Sequence, residues 1–445
     1  MSELIIFMLC VILVFSVLAF GAVNTWALSI LSFFAGLILI FWLTDAWLKK
    51  EFRFSTNALQ VPLLGLILLG FIQLLPLRSS SVGGDLLSVA AANLLSLAPS
   101  LTRFVLIQLF VCFVFFAAAL TFINDQKRLR KIVLTVIIFG SLMAFYGILQ
   151  QLANVEEIYG LFPVKGAYAF ASFVNRHHFA GFMEMTIGIT LGLLFGKDTK
   201  KDKQLLLIIA TVVMGMAIVF TGSRGAMLGL LGVLGFIIAA NLLKKQTNEE
   251  TSTGEKTKNY SRNFALIGGG LTLILILFGS VLLLGGDSSL LRGIGLQNPD
   301  DVSNGRTHFW QIALKIFFDH PILGAGLDSF GVAFTRYDTW NGIYRVEQAH
   351  NDYLQILADG GIAGFTCVAA FIFLLFKKGF KTVSNATDSF QRNVAIGAMA
   401  GCFGILIHSF FDFPLRTTSN AFFFLTLAAV ATVPITSNRL SRKRK

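Results

Sequence analysis

Charge is scarce in this sequence. Asp, Glu, Lys and Arg together make up 13% of its 445 residues, against roughly 25% in soluble domains. Hydrophobic residues reach 55%, and phenylalanine alone fills 45 positions. A water-soluble fold cannot hide that much apolar surface, so lipid has to solvate most of the chain. Cysteine is present without any pattern. Cys10, Cys112, Cys367 and Cys402 all fall inside apolar runs, with no metal-site spacing and no disulfide framework. The start, Met1-Ser2-Glu3, lacks the basic region of a secretory signal, which predicts that the first apolar run is an uncleaved span. The formal charge of +12 does not point to nucleic acid, because the basic residues sit in short clusters between apolar runs.

Those runs are what the sequence does have. Crossing the hydrocarbon takes about 20 apolar residues in a helix. Twelve runs reach or approach that length, at 4–21, 26–44, 57–76, 104–123, 132–152, 178–196, 205–220, 226–243, 264–285, 361–376, 393–411 and 419–435. The pattern predicts an all-α polytopic membrane protein with about 12 transmembrane helices. The seventh and eighth runs are separated only by Thr221–Gly225, which predicts a tight hairpin. With the amino terminus inside, the connections 45–56, 124–131, 197–204, 244–263 and 377–392 and the tail from Thr436 hold 25 of the 36 Lys and Arg. That asymmetry places those connections on the cytoplasmic side. The chain divides into residues 1–285 with nine spans, 286–360 as one long outer loop, and 361–445 with three spans and a basic tail.

Polar chemistry collects on the opposite side. All six histidines, at 177, 178, 308, 320, 350 and 408, fall in outer segments or at outer ends of spans. Histidine exchanges protons near neutral pH, so this bias marks the face where a reaction would occur. Within the long loop, Phe309, Ile312, Ile316 and Phe317 recur at helical spacing, which predicts an amphipathic helix over Thr307–Asp319 ended by Pro321. A second helix is predicted over Ala349–Asp359, with His350 at its packed edge and Asn351, Gln355 and Asp359 as a polar stripe.

Arg176, Arg224 and Arg306 each stand at or just before a predicted outer helix start. A cation there opposes the helix dipole, so helix stability does not explain it. Free N–H groups beside a guanidinium do make an anion site. Thr221-Gly222-Ser223-Arg224-Gly225 fits best, since its glycines allow backbone, with Ser223 as support, to approach a phosphate. The plainer alternative is that these arginines snorkel to lipid headgroups. His350, flanked by Asn351 and Asp352 that could orient its ring, is a candidate general base with a structural histidine as the alternative. Asp300-Asp301 could hold a metal through oxygen ligands, although an acidic pair beside Pro299 also reads as a plain loop. Glu184, the acidic residue well inside a span, either lines a cavity or pairs with an arginine.

Three stretches resemble the signature region of the O-antigen ligase superfamily: Gly305-Arg-Thr-His-Phe-Trp310, His320-Pro-Ile-Leu-Gly-Ala-Gly-Leu-Asp-Ser-Phe330, and Ala349-His-Asn-Asp-Tyr-Leu-Gln-Ile-Leu-Ala-Asp-Gly-Gly-Ile-Ala-Gly364. Phe173-Val-Asn-Arg-His-His-Phe-Ala-Gly181 and Thr221–Gly225 are similar to two upstream pieces of the same superfamily. The paired His177-His178 departs from the single histidine frequent there, which leaves open which of the two matters. The resemblance implies a metal-independent, inverting bacterial glycosyltransferase without a cofactor, of a fold similar to C-type glycosyltransferases. It implies a site facing the periplasm from the inner membrane, and a glycan donor on undecaprenyl diphosphate. His350 matches the catalytic histidine, and Arg224 and Arg306 match the diphosphate-binding arginines. Arg176 is grouped with them, with His178, Glu184, Ser223, Asn351 and Asp352 in support. The acceptor is a lipid A–core sugar in a ligase or another lipid-linked repeat in a polymerase, and the motifs do not separate the two. A transporter is the rival from another class, but no clear internal repeat is visible and the spans are nearly free of charge apart from Glu184.

Overall fold

Proline-poor apolar runs flanked by small capping residues give helices, and in the computed structural model these account for nearly all the regular structure. The structure describes residues 1–77, 93–164, 168–196, 201–249, 305–339 and 346–435. In chain order the helices are α1 (Ser2–Leu18), α2 (Thr25–Lys49), α3 (Gln60–Gln73), α4 (Pro99–Phe122), α5 (Gln126–Leu152), α6 (Arg176–Leu194) and α7 (Lys201–Phe220). They continue as α8 (Arg224–Glu249), α9 (Arg306–Asp319), α10 (Phe330–Tyr337), α11 (Asp352–Asn385), α12 (Ser389–His408) and α13 (Thr418–Thr432). Asp125, Asn175, Asn351 and Asp388 cap α5, α6, α11 and α12 by accepting from backbone N–H groups of the first turn. Among the described residues there is no strand beyond two isolated bridges, Ile158 with Phe162 and Phe170 with Phe173.

Seven helices among the described residues are long and apolar enough to cross a membrane: α2, α4, α5, α7, α8, α11 and α12. This is fewer than the expected twelve. Three runs fold as shorter apolar helices, α1, α3 and α13, and the run at 264–285 lies outside the described residues, as does the boundary at 285/286. The run at 178–196 forms α6, whose histidines, Glu184, threonines and glycines dilute its apolar character. Its solvent is protein rather than lipid, since every residue from His178 to Leu193 is buried.

The two ends of the bundle are held by different chemistry. At one end Asp45 accepts from Ser2 and pairs with Lys49 and Arg53. There Arg128 reaches Glu3, and Gln126 bonds Asp388. This is the end that carries the basic connections. At the other end Tyr159 and Ser172 hydroxyls donate to the Leu18 and Val17 carbonyls, and the Leu97 N–H donates to the Ala325 carbonyl. Gln73 donates to the Leu323 and Asp359 carbonyls and accepts from the Leu327 N–H, so the end of α3 holds the turn before α10. The predicted site residues 176, 224, 306 and 350 all lie at this second end.

Glycines set the spacing of the three helices beneath that end. A Cβ added at Gly188 of α6 would meet the Gly401 backbone nitrogen of α12 at 2.4 Å, and one at Gly229 of α8 would meet the Gly404 carbonyl of α12 at 2.8 Å. The α6 and α12 backbones therefore pack directly on each other, as small-residue seams do in membranes, while Gly229 also makes room for the Glu184 carboxylate. Two corrections concern α11. It begins at Asp352 rather than Ala349, because Asn351 turns its side chain onto the Tyr353 and Leu354 N–H groups as the cap. His350 consequently stands outside the helix, at φ 51°. The helix also does not stop at Asp359. It runs on to Asn385 across a break at Gly361 (φ 59°), where the freed Ile362 and Ala363 N–H groups donate to the Pro321 and Ile322 carbonyls.

Candidate active site

The α12–α13 connection supplies the centre of the site. Asp412, in that connection, is nearly fully buried, with 2% of its side chain exposed. Its Oδ1 lies 3.2 Å from Nδ1 of His350, and its Oδ2 lies 3.4 Å from Nη2 of Arg306. Nδ1 of His177 approaches the same Oδ2 at 4.0 Å. Burial alone would push this carboxyl up. The His350 hydrogen bond and the nearby charges of His177, His350 and Arg306 outweigh it and hold the group well below the usual carboxylate range. Asp412 is therefore an anion that only accepts hydrogen bonds, so the His350 proton sits on Nδ1 and leaves Nε2 with a lone pair when the ring is neutral.

Position and backbone both fix the His350 ring. Phe413 packs edge-on against it at 4.9 Å between centroids, and Phe309 of α9 lies at 6.1 Å on a tilt. The imidazole keeps 31% of its surface exposed, so it faces open space while its Nδ1 is held. Arg306 arrives as the first residue of α9, entered from Gly305 in the left-handed region (φ 79°). Ile312 and Ile316 of α9 are buried as the periodicity predicts, and with Phe330 and Phe334 of α10 they form a small separate core that carries this arginine.

Asn351 and Asp352 do not orient the imidazole. Asn351 donates to the Phe410 carbonyl at 3.0 Å, while Asp352 accepts from the Ser409 hydroxyl at 2.8 Å and the Leu415 N–H at 3.3 Å. They clamp the segment that carries Asp412, so their support for His350 is indirect. Arg416 closes the same segment from its far side, pairing with Asp359 at 2.9 Å and with Asp328. Burial works against its charge, but those two carboxylates raise its affinity for the proton still further.

The two adjacent histidines separate cleanly. His177 faces Asp412, whereas His178 is buried, with Nδ1 2.7 Å from the Thr417 hydroxyl and its ring edge-on to Phe413. Glu184 pairs with neither an arginine nor the open cavity. Its Oε1 lies 3.3 Å from Nδ1 of His408, both side chains are fully buried, and the pair meets at ion-pair distance without an aligned hydrogen bond. Nε2 of His408 is 3.3 Å from the Ser223 hydroxyl, and a Cβ on Gly225 would touch His408 and Phe411. Arg224, between Ser223 and Gly225, thus starts α8 against the stretch 408–411 that leads into Asp412. The structure brings Arg306, His350 and His177 onto one carboxylate and sets the Arg224 backbone beside the stretch leading to it.

Arg176 faces another wall. Its guanidinium lies 4.8 Å from the centre of the Tyr168 ring and lines a mostly polar cavity of about 280 Å³. Among the described residues no group of three or more His, Cys, Asp or Glu is placed to hold a metal ion, and Asp300 and Asp301 lie outside them.

The sequence reading missed Asp412 and Arg416. Their signal was faint: Asp412-Phe-Pro-Leu-Arg416 breaks the apolar text between the last two runs. Residues 209–369 match the family model described as O-antigen ligase, which bears out the resemblance to that superfamily. The matched stretch takes in Ser223, Arg224, Arg306 and His350 and stops short of Asp412. No curated protein matches the chain. Such a family domain, in a multi-pass helical protein, supports a ligase- or polymerase-type role in surface polysaccharide biosynthesis.

Proposed function

With the O-antigen ligase family as premise, we propose that this protein is a glycosyltransferase that moves a glycan from undecaprenyl diphosphate to an acceptor hydroxyl at the periplasmic face of a bacterial inner membrane. The observation that carries this reading is the meeting of His350 and Arg306 on the two oxygens of buried Asp412.

In the step we infer, Nε2 of His350 takes the proton of the acceptor hydroxyl as its oxygen attacks the anomeric carbon. The bond from that carbon to the lipid diphosphate breaks, and its electron pair leaves with the phosphate oxygen. A single displacement inverts the anomeric configuration. Asp412 holds the ring in the reactive tautomer and offsets the imidazolium that forms. Arg306, with Arg224 beside the same segment, balances the charge that grows on the departing diphosphate, which a poorly hydrated site makes more valuable. Arg306 is shared with Asp412 before substrate arrives, so its second guanidinium edge is the one we assign to the phosphate. Neither nucleotide nor metal enters this scheme.

The acceptor we favour is a lipid A–core sugar, which makes the enzyme a ligase. The alternative of the same chemistry is a polymerase, whose acceptor is another lipid-linked repeat unit. Purified protein incubated with lipid-linked donor and each acceptor separately tests both. A product on the lipid A–core sugar supports the ligase. A ladder on lipid-linked repeats alone replaces it by the polymerase, and no transfer to either sinks the transferase reading.

A further inference from the structure

The cavity beside Arg176 has a chemistry unlike that of the Asp412 cluster. One wall is the end of α5 and the turn after it: Gln151, Asn154 and Glu156. Asn154 adopts the left-handed region (φ 51°), and the Val155 N–H donates to the Gln150 carbonyl, which bends this wall over the cavity. Tyr168 also lines the cavity, with 69% of its surface exposed and one face taken by the Arg176 guanidinium. Phe220, at the end of α7, makes part of the floor. The last edge is Gly222, where an added Cβ would meet nothing within 4 Å. Two amides, one carboxylate, one guanidinium and aromatic surface are what a neutral sugar asks for. Hydroxyls bond to amide and carboxylate oxygens, and the apolar ring face lies on an aromatic. Among the described lining residues Arg176 is accompanied by the carboxylate of Glu156, which would repel a diphosphate, so a neutral sugar fits this lining better. The volume of about 280 Å³ is near the lower bound of small-ligand pockets, roughly 300 Å³. It suits a short run of sugar units.

Two covalent neighbours tie this cavity to the reaction. Arg176 precedes His177, whose Nδ1 lies 4.0 Å from Asp412. Gly222 precedes Ser223 and Arg224 in the turn that opens α8. A glycan held here would lie beside the backbone that carries His177 and Arg224.

We propose that the cavity between the end of α5, Tyr168 and Gly222 is a glycan-recognition subsite that binds uncharged sugar units next to the reacting carbon. This rests on the transferase reading for its biological meaning, but sugar binding can be measured without turnover. The probe is the oligosaccharide released by mild acid from the lipid-linked glycan of cells that make this protein. Its binding to the full-length detergent-solubilised protein is measured by titration calorimetry or saturation-transfer NMR. Bare undecaprenyl diphosphate serves as the second ligand, and a thermal melt confirms folding.

Wild type is expected to bind both ligands. Tyr168→Ala and the double variant Gln151→Ala/Glu156→Ala are expected to weaken the oligosaccharide at least about tenfold, the loss of one or two good polar contacts. Both should leave bare diphosphate binding within about twofold, well under the cost of one hydrogen bond. In transfer assays the same variants should raise KM, for donor if the cavity holds donor sugars and for acceptor if it holds acceptor sugars. Oligosaccharide binding that is absent in wild type or unchanged in the folded variants overturns the subsite. So does bare diphosphate binding that falls with them, since the cavity would then belong to the diphosphate clamp. If wild type transfers nothing while its sugar binding still depends on these residues, the transferase reading fails and the subsite stands.

Discussion

Nδ1 of His350 and Oδ1 of Asp412 lie 3.2 Å apart, although 62 residues separate them in the chain. The contact gives a partly exposed imidazole a fixed tautomer and an ionised partner, and leaves its other nitrogen outside that contact. That pairing is the basis on which the site can be tested.

His350→Ala should remove the base. We expect transfer to drop by a factor of about 10²–10⁴, the usual worth of a positioned general base, with expression and melting behaviour retained. Turnover near wild type in the purified variant would exclude His350 from proton transfer.

Asp412→Asn should leave the base present but badly held. An amide can donate to Nδ1, which favours the tautomer whose lone pair faces away from the acceptor. Activity should fall with kcat rather than KM, and the pH profile of kcat should shift, whereas loss through packing alone would move neither the profile nor the kcat-to-KM split in this way. An unaltered profile with intact kcat would remove Asp412 from the mechanism.

The same carboxylate sets an acid limit. Its folded-state pKa is depressed, so its stabilising contribution is fully present above its unfolded value of about 4. The contribution is lost as pH falls through the lower folded value. Melting temperatures of wild type and Asp412→Asn should therefore differ by a constant amount from pH 7 down to about 4 and converge only below that. Convergence between pH 7 and 5 would show that the carboxylate is not held as an anion.

Arg306→Ala should weaken donor binding by about 2–5 kcal/mol, the cost of truncating one partner of a buried charge pair. Arg306→Lys should rescue poorly, because a lysine cannot serve Asp412 and a phosphate with two separate edges. Arg224→Ala should act in the same direction. Full donor affinity in both variants, read by competition with bare undecaprenyl diphosphate, would move the diphosphate elsewhere. EDTA should leave transfer unchanged, and inhibition reversed by a divalent ion would overturn the metal-independent scheme.

Gly401→Val should force α6 and α12 apart, because even a Cβ there would sit 2.7 Å from the Met185 carbonyl. Overpacking of this kind costs about 1–3 kcal/mol or more. A lowered melting temperature with reduced transfer is expected, and a variant as stable as wild type would contradict the backbone-to-backbone seam.

Local chemistry carried much of this into the sequence. Arg176, Arg224 and Arg306 are each the first residue of a helix. The short break between α7 and α8 and the helix ending at Asp319 were legible from periodicity and from glycine and proline placement, although α7 and α8 barely pack on each other as a tight hairpin would. The position of His350 outside the helix follows from Asn351, a residue type that caps helices more readily than it orients a neighbouring ring. The glycine pairs at 188 and 192 and at 397 and 401 carry the spacing of a close helix contact that sequence alone could have flagged. Partner choice was not legible. Nothing near Glu184 in the chain names His408, and a single Asp412 in a short connection looks like any loop acid until the tertiary fold sets it between an arginine and two histidines. The surroundings of α6 were likewise not legible, because burial by protein rather than lipid is something a window of residues cannot distinguish.

The cap-and-clamp arrangement around Asp412 also has a bearing on biogenesis. Chains emerge amino end first, and α9, His350 and all of α11 precede Asp412 in synthesis. Until α12 and the connection after it are in place, His350 and Arg306 lack the Asp412 carboxylate that they share. On the proposed mechanism a product truncated before Asp412 would therefore be inactive, with competence arriving only when the closing segment is in place.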